Sequence, residues 1–339
     1  MAASSTSWPV PQTDDELWGY VYETWGVKIP QIAVCPGHVA PFTAFADAYF
    51  ARESMYVWKA SRGLGGKSYL LATLAATVAT TLGANAVVLG GSGEQSANVY
   101  EYMRRLWNAP EDPRDMLREH PLTTVTRFKK GNQVKALTAS QNSVRGPHEE
   151  RLYLDEIDEM DLAIFDAAMG QTLATPGISA CTVASSTHHY ADGTMTAVLK
   201  RAREKGWMIY EWCLHETEEP HGWLASSEIE RKRNEMTSVQ WQTEVELQEP
   251  NPESRAIMPA AVQAMFRREL GVFRGASREY IELEAPSKAG RYVHGADWAK
   301  SVDWTELVCL RVDVHPYRLI AYERMQRLPW PQMVARFEE

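Results

Sequence analysis

Ser61-Arg62-Gly63-Leu64-Gly65-Gly66-Lys67-Ser68 follows a short apolar run, Met55 to Trp58, and precedes an Ala/Leu/Thr-rich stretch of helical character, Tyr69 to Leu82. Strand, glycine-rich loop, Lys-Ser and helix is the layout of a phosphate-binding P-loop, the Walker A motif. The glycines let backbone N–H groups turn inward on phosphates, and the helix N-terminus adds its positive dipole end. Lys67 can reach β- and γ-phosphates, and Ser68 can ligate Mg²⁺. The strict pattern begins with Gly, where this chain has Ser61. A glycine loop alone is usually a flexible turn with a solvated lysine. A Gly-Lys-Ser end between strand and helix is far less often accidental.

The second anchor is Leu152-Tyr153-Leu154-Asp155-Glu156. An apolar strand ending in Asp-Glu puts two carboxylates at the carboxyl edge of a sheet, the edge at which a P-loop also opens. Asp155 can hold Mg²⁺ through water and Glu156 can polarise an attacking water, the Walker B roles. Taken alone, the pair also reads as a helix start with Asp155 as N-cap. No Asn-Lys-x-Asp occurs, so the guanine-reading signature is missing and ATP is preferred over GTP. Ser185-Ser186-Thr187 follows a third apolar run, where hydroxyls can sense hydrolysis or simply close a turn.

Outward from these anchors the pattern is that of an α/β protein. Residues 14–52 read as mainly helical, and Phe42, Phe45, Tyr49 and Phe50 share one face, as a packed helix or an aromatic base platform. Strands then alternate with helices to about residue 212, which predicts a mainly parallel central sheet. The expected ATPase part spans 1–249, with a helical portion over 1–53. A Pro-rich connector with a short helix over 260–270 and a loop-like 271–290 fills 250–290. From 291 to 339 the strands follow too closely for intervening helices and should pair as an antiparallel meander.

With 339 residues the chain can fold as about two domains. The net charge of −9 argues against a charge-driven nucleic-acid binder, although a local basic channel remains open to it. Of the basic clusters, all plausible as solvated faces, Arg127/Lys129/Lys130 on a hairpin is the first choice for a DNA path. Cys35, Cys181, Cys213 and Cys309 stand far apart with no C-x-x-C, which suggests neither a zinc knuckle nor a disulfide framework. No apolar leader or membrane span is evident, so a soluble, cytoplasmic protein is expected. Arg62 lies inside the P-loop, where a simple surface charge is hard to explain. Arg145, in Ser143-Val144-Arg145-Gly146, can act on the phosphates of a neighbouring subunit. Asp297, in Gly295-Ala296-Asp297-Trp298-Ala299, ends a strand where a two-metal nuclease of ribonuclease-H type needs its first carboxylate. It also reads as a turn cap.

Taken in order, these motifs resemble the large terminase subunit of tailed bacteriophages, the DNA-packaging motor, over nearly the whole chain. The resemblance implies an N-terminal P-loop ATPase domain of ASCE type, followed by the truncated start of a ribonuclease-H-like nuclease domain. It implies that residues Ser61 to Ser68 bind nucleotide, that Ser68 and Asp155 hold the ATPase Mg²⁺, and that Glu156, Arg145 and Arg62 are catalytic. Ser185, Ser186 and Thr187 become the coupling motif, and Asp297 a nuclease ligand for Mg²⁺ or Mn²⁺. The later acidic motifs of that nuclease are missing, so the endonuclease is expected to be incomplete. The implied partners are double-stranded DNA, a portal protein and a small terminase subunit. The implied assembly is a ring on the procapsid and a monomer in isolation, in the host cytoplasm. Another P-loop translocase or helicase, or a non-hydrolysing nucleotide-binding scaffold, remains the alternative.

Overall fold

A computed structural model describes residues 10–91, 93–107, 114–122, 124–137, 149–250, 278–299 and 304–338. They fall into two units, divided between Pro252 and Glu253. The residues expected to form one helical stretch make two helices, α1 (Asp14–Trp25) and α2 (Pro41–Phe50), joined by an irregular segment. Thr13 caps α1 by accepting from the Glu16 N–H, and three acids in the first turn complement the helix dipole. Phe42, Phe45 and Tyr49 are buried in the core, so the aromatic face of α2 is packing surface and not a base platform.

β1 (Met55–Ala60) is buried at every position and runs into the glycine loop. α3 (Lys67–Thr81) follows and is buried on nearly all sides. Its threonines make that possible. Thr73, Thr77, Thr80 and Thr81 return their hydroxyl protons to carbonyls within the helix. Their oxygens then accept from the flanking helices. Trp25 Nε1 donates to Thr77 at 3.1 Å and the Tyr49 hydroxyl to Thr81 at 2.9 Å, while Tyr20 and Thr80 share a bond of 3.1 Å. Polar groups that are costly to bury unpaired thus become docking points.

β2 (Ala86–Gly90), α4 (Gly93–Leu106), β3 (Val125–Arg127), β4 (Gln133–Leu137) and β5 (Arg151–Asp155) come next. α5 (Leu162–Ala168), β6 (Cys181–Ser186), α6 (Thr194–Lys205), β7 (Met208–Trp212) and α7 (Ser226–Glu235) follow, with short helical turns at Leu214–Thr217 and over 238–245. The seven strands form one sheet in the order β3-β4-β2-β5-β6-β1-β7, parallel except for β3 against β4. β6 lies between the P-loop strand β1 and the Asp-Glu strand β5. That inserted strand is the arrangement of a P-loop NTPase of ASCE type, the class that the resemblance implies. Arg151 on β5 is buried, and its guanidinium donates to the carbonyls of Ala48 and Tyr49 at the end of α2. A cation there complements the helix dipole. β6 runs two residues beyond its sequence reading, so Ser185 and Ser186 belong to the strand and only Thr187 follows it.

The hairpin β3–β4 is the sheet edge and not a projecting arm. Lys130 Nζ lies 3.4 Å from the carbonyls of Thr80 and Thr81 at the end of α3, and Arg127 pairs with Glu119 at 2.6 Å. Two charges of the cluster chosen for a DNA path thus serve internal partners.

The second unit holds an antiparallel sheet in the order β8-β11-β10-β9: β8 (Arg278–Glu282), β9 (Tyr292–Asp297), β10 (Thr305–Arg311) and β11 (Arg318–Met325). β9 to β11 form the expected meander. β8 lies in a stretch read from sequence as loop-like, and it pairs with β11. Helix α8 (Trp330–Glu338) follows. The expected helix over 260–270 lies outside the described residues.

Thr77→Val keeps shape but removes the acceptor for Trp25 Nε1. The orphaned buried donor should cost about 1–3 kcal/mol, read as a lower urea midpoint with unchanged m-value, whereas Thr77→Ser should recover most of it.

Candidate nucleotide-binding site

The glycine loop is held open by contacts from two sides. Gly63 and Gly66 both have φ of +67°, a left-handed conformation that costs other residues energy. A Cβ on Gly65 would fall 2.9 Å from the Ser61 backbone, and one on Gly66 would fall 2.5 Å from the Trp223 ring. Gly66 caps α3 without a side chain, so the first N–H groups of that helix have no side-chain partner at the cap. The carboxyl-terminal segment of the first unit backs the loop. Trp212 Nε1 donates to the Gly65 carbonyl at 2.8 Å, Thr217 to that of Leu64 at 3.0 Å, and the Arg62 N–H to that of Glu244 at 2.8 Å. Ser61 is buried and donates to the Val245 carbonyl. That bond accounts for a serine where the strict pattern has glycine. Leu64 packs with Leu214, Ile229, Trp241 and Val245.

Parallel pairing carries three strand ends to one place. Lys67, only 3 % exposed, ion-pairs with Glu156 at 3.0 Å and donates to the Thr187 hydroxyl at 2.9 Å. Ser68 donates to one oxygen of Asp155 and Ser185 to the other, each at 2.5 Å. Thr187 is fixed in turn by donating to the Ala60 carbonyl at 2.9 Å. Ser186 spans 3.4 Å to Glu156 and accepts from the Asp158 N–H at 3.1 Å. Glu156 sits at φ +50°, a strained backbone of the kind that gathers at functional sites. The reading of Asp155 as a helix N-cap is replaced by this geometry. Asp155 ends β5 with both oxygens committed to hydroxyls, and Glu156 precedes a single 3₁₀ turn, Ile157–Glu159.

Burial and the adjacent Glu156 carboxylate push Asp155 above the usual carboxylate range, against the pull of Lys67 and its hydroxyl donors. Burial pushes Glu156 up as well, but the Lys67 ammonium, then His189 and Arg62, outweigh it and leave Glu156 below its ordinary value. A buried and a half-buried carboxylate beside one ammonium make a site whose charge a divalent cation can balance.

These groups open on a cleft of about 610 Å³ whose wall includes Arg62, Ser68, Tyr102, Arg105, Asp155 and Glu156. Arg62 is 58 % exposed and pairs with Glu244 at 2.9 Å. It stands at the rim of the cleft, held there by a partner far along the chain. Arg145 lies outside the described residues. Asp297 ends β9, and among the described residues no group of three or more metal donors forms around it. Glu323, another acid of that sheet, is buried and pairs with Arg336 at 3.1 Å.

Sequence reading missed Asp158, Trp223 and the 241–247 segment. Asp158 is buried and accepts from the N–H groups of His189, Tyr190 and Met195, which shapes the turn after Thr187. A carboxylate ahead of a hydroxyl-rich turn carries no distinct pattern, and Trp223 and Val245 reach the loop only through tertiary folding.

No family model matches this sequence, and no curated protein does. Solved structures resemble it. The large terminase of a thermophilic bacteriophage is 12 % identical over 87 % of this chain and 73 % of its own, with a TM-score of 0.46. That terminase has also been solved with ADP and with ATP-gamma-S. The bacteriophage HK97 large terminase is 14 % identical over 91 % of this chain and 67 % of its own, with a TM-score of 0.45. The large terminase ATPase domain of Thermus phage P74-26 is 12 % identical over 66 % of this chain and 95 % of its own, with a TM-score of 0.36. The chain is similar in fold to these phage large terminases.

Proposed function

We propose that this chain is an ATP-hydrolysing motor that drives double-stranded viral DNA into a procapsid, the large subunit of a packaging terminase. The observation that carries the ATPase reading is the convergence of Lys67, Ser68, Asp155, Glu156 and Thr187 at one sheet edge. The loop and the start of α3 offer backbone N–H groups to phosphates, and Lys67 exchanges Glu156 for phosphate oxygens. Release from Lys67 frees the Glu156 carboxylate to orient the attacking water. Ser68 donates to Asp155 at 2.5 Å, so a hydroxyl and a carboxylate, the hard oxygen donors that Mg²⁺ takes directly or through water, stand side by side. The residues therefore fit that ion, which when bound neutralises charge on β- and γ-phosphates. Thr187 touches both Lys67 and the end of β1, so a change at the γ-phosphate reaches β6 directly. Packaging itself rests on the motif order, Arg145 as a finger acting across subunits of a ring on the portal, and Asp297 as the opening ligand of an endonuclease. Double-stranded DNA and a small terminase subunit are the further partners, in the host cytoplasm.

ATP turnover with Mg²⁺ tests the reading. Lys67→Ala should lose both nucleotide binding and turnover. Glu156→Gln should keep binding and lose kcat by about 10²–10⁴-fold, the worth of a positioned base. Full turnover in Glu156→Gln removes Glu156 from the chemistry, and binding without turnover in the unaltered chain favours a scaffold.

Arg145 predicts a mixing effect. A finger acting across subunits is worth on the order of 10³–10⁵ in rate, so the monomer should be slow. Rings mixed from Arg145→Ala and Glu156→Gln subunits should hydrolyse faster than either variant alone. Mixed rings no faster than the better variant would show that Arg145 does not act in trans.

A further inference from the structure

Cys35 and Cys213 lie in different parts of the chain, yet the fold brings their sulfurs to 3.7 Å. Two short turns do this, Cys35-x-x-His38 in the segment between α1 and α2, and Cys213-x-x-Glu216 just after β7. The donor atoms of Cys35, His38, Cys213 and Glu216 all lie within 4.8 Å of one another. We propose that these four residues form a structural zinc site. The C-x-x-C pattern that usually signals such a site is missing because each turn supplies one sulfur and one other ligand.

Donor chemistry points to the ion. Two sulfurs, an imidazole and a carboxylate select a borderline-soft cation over Mg²⁺ or Ca²⁺. With Zn–S of about 2.3 Å, a tetrahedral site has an S···S edge of about 3.8 Å, and the sulfurs already stand at 3.7 Å. The surroundings are built for it. Glu216 is fully buried and accepts from the N–H groups of Val34, Cys35 and Cys213, which fix its carboxylate in place. His38 Nδ1 faces the cluster, 3.0 Å from Glu216, while Nε2 faces the Glu211 carboxylate at 3.8 Å. Glu211 is held by Lys59 at 3.1 Å. A carboxylate behind the imidazole is the usual support of a metal-bound histidine. Cys213 and Glu216 are buried and Cys35 and His38 half-buried, which leaves an entry path. Closing the set needs the furthest donors to approach by about 1 Å, within reach of side-chain rotation.

The site would be a clip. It joins the segment between α1 and α2 to the turn whose next residue, Thr217, bonds the Leu64 carbonyl of the glycine loop. The same sulfurs could instead join as a disulfide, which needs them about 2.05 Å apart.

The test is metal content of the full chain isolated under reducing, chelator-free conditions. About one zinc per chain is expected. Replacement by Co²⁺ should give the sulfur-to-cobalt charge-transfer and d–d bands of a tetrahedral thiolate site. A strong chelator should lower the Tm of the unaltered chain by at least about 5 °C and leave that of Cys35→Ser unmoved. Cys35 is the half-buried sulfur, so its variant is read if Cys213→Ser does not fold. No zinc and no cobalt bands, or an intact mass showing a Cys35–Cys213 disulfide in the freshly isolated chain, would overturn the site.

Discussion

The buried ammonium of Lys67 is the constraint on which the rest of the first unit depends. A charge 3 % exposed needs partners, since an uncompensated one costs several kcal/mol. Its partners come from two other strands: Glu156 after β5 and Thr187 after β6. That requires three parallel strands to end at one level, with Trp58 of β1 opposite Ser185 of β6 and Leu154 of β5 opposite Ala184 of β6. A register slip of one residue would turn these side chains to the other face. The left-handed backbone at Glu156 lies at the same point, where its carboxylate meets Lys67 at 3.0 Å.

Around that centre, hydroxyls carry much of the specificity. Thr77, Thr80 and Thr81 let a nearly all-buried helix accept Trp25, Tyr20 and Tyr49 without orphaned donors. Ser185 and Ser68 hold Asp155 between them. Small hydroxyl side chains suit both tasks, since they bond at short range and add little volume to a close-packed interior. The glycine loop has no such bulk of its own. It is kept in shape from outside, by Trp212, Thr217, Glu244 and Val245 on a segment that crosses behind it.

Much of this was legible in the chain. Local periodicity and the glycine and proline punctuation marked nearly every strand of the large sheet, because an interior strand must be apolar throughout and a turn must break that run. The P-loop and Asp-Glu motifs were legible because their chemistry demands fixed residue types at fixed short spacing. What the sequence did not show shares one physical cause. β8 has two glutamates and a tyrosine with no apolar run, so only its pairing with β11 makes it a strand. Arg62 pairs with Glu244 and Lys130 reaches the end of α3, contacts that local sequence does not name. Cys35 and Cys213 looked unrelated because their proximity arises from the path of β7 past the segment before α2.

The sequence by itself determined which residues carry donors and acceptors suited to phosphate, a cation or a water, since that chemistry belongs to side chains and to short loops. It also determined the alternation of elements from which an α/β sheet follows. Only the tertiary structure decided that β6 lies between β1 and β5, and hence that Thr187 meets Lys67 while Ser185 meets Asp155. The order of parallel strands is set by crossover connections and shared burial across the whole sheet, which no local stretch of sequence encodes.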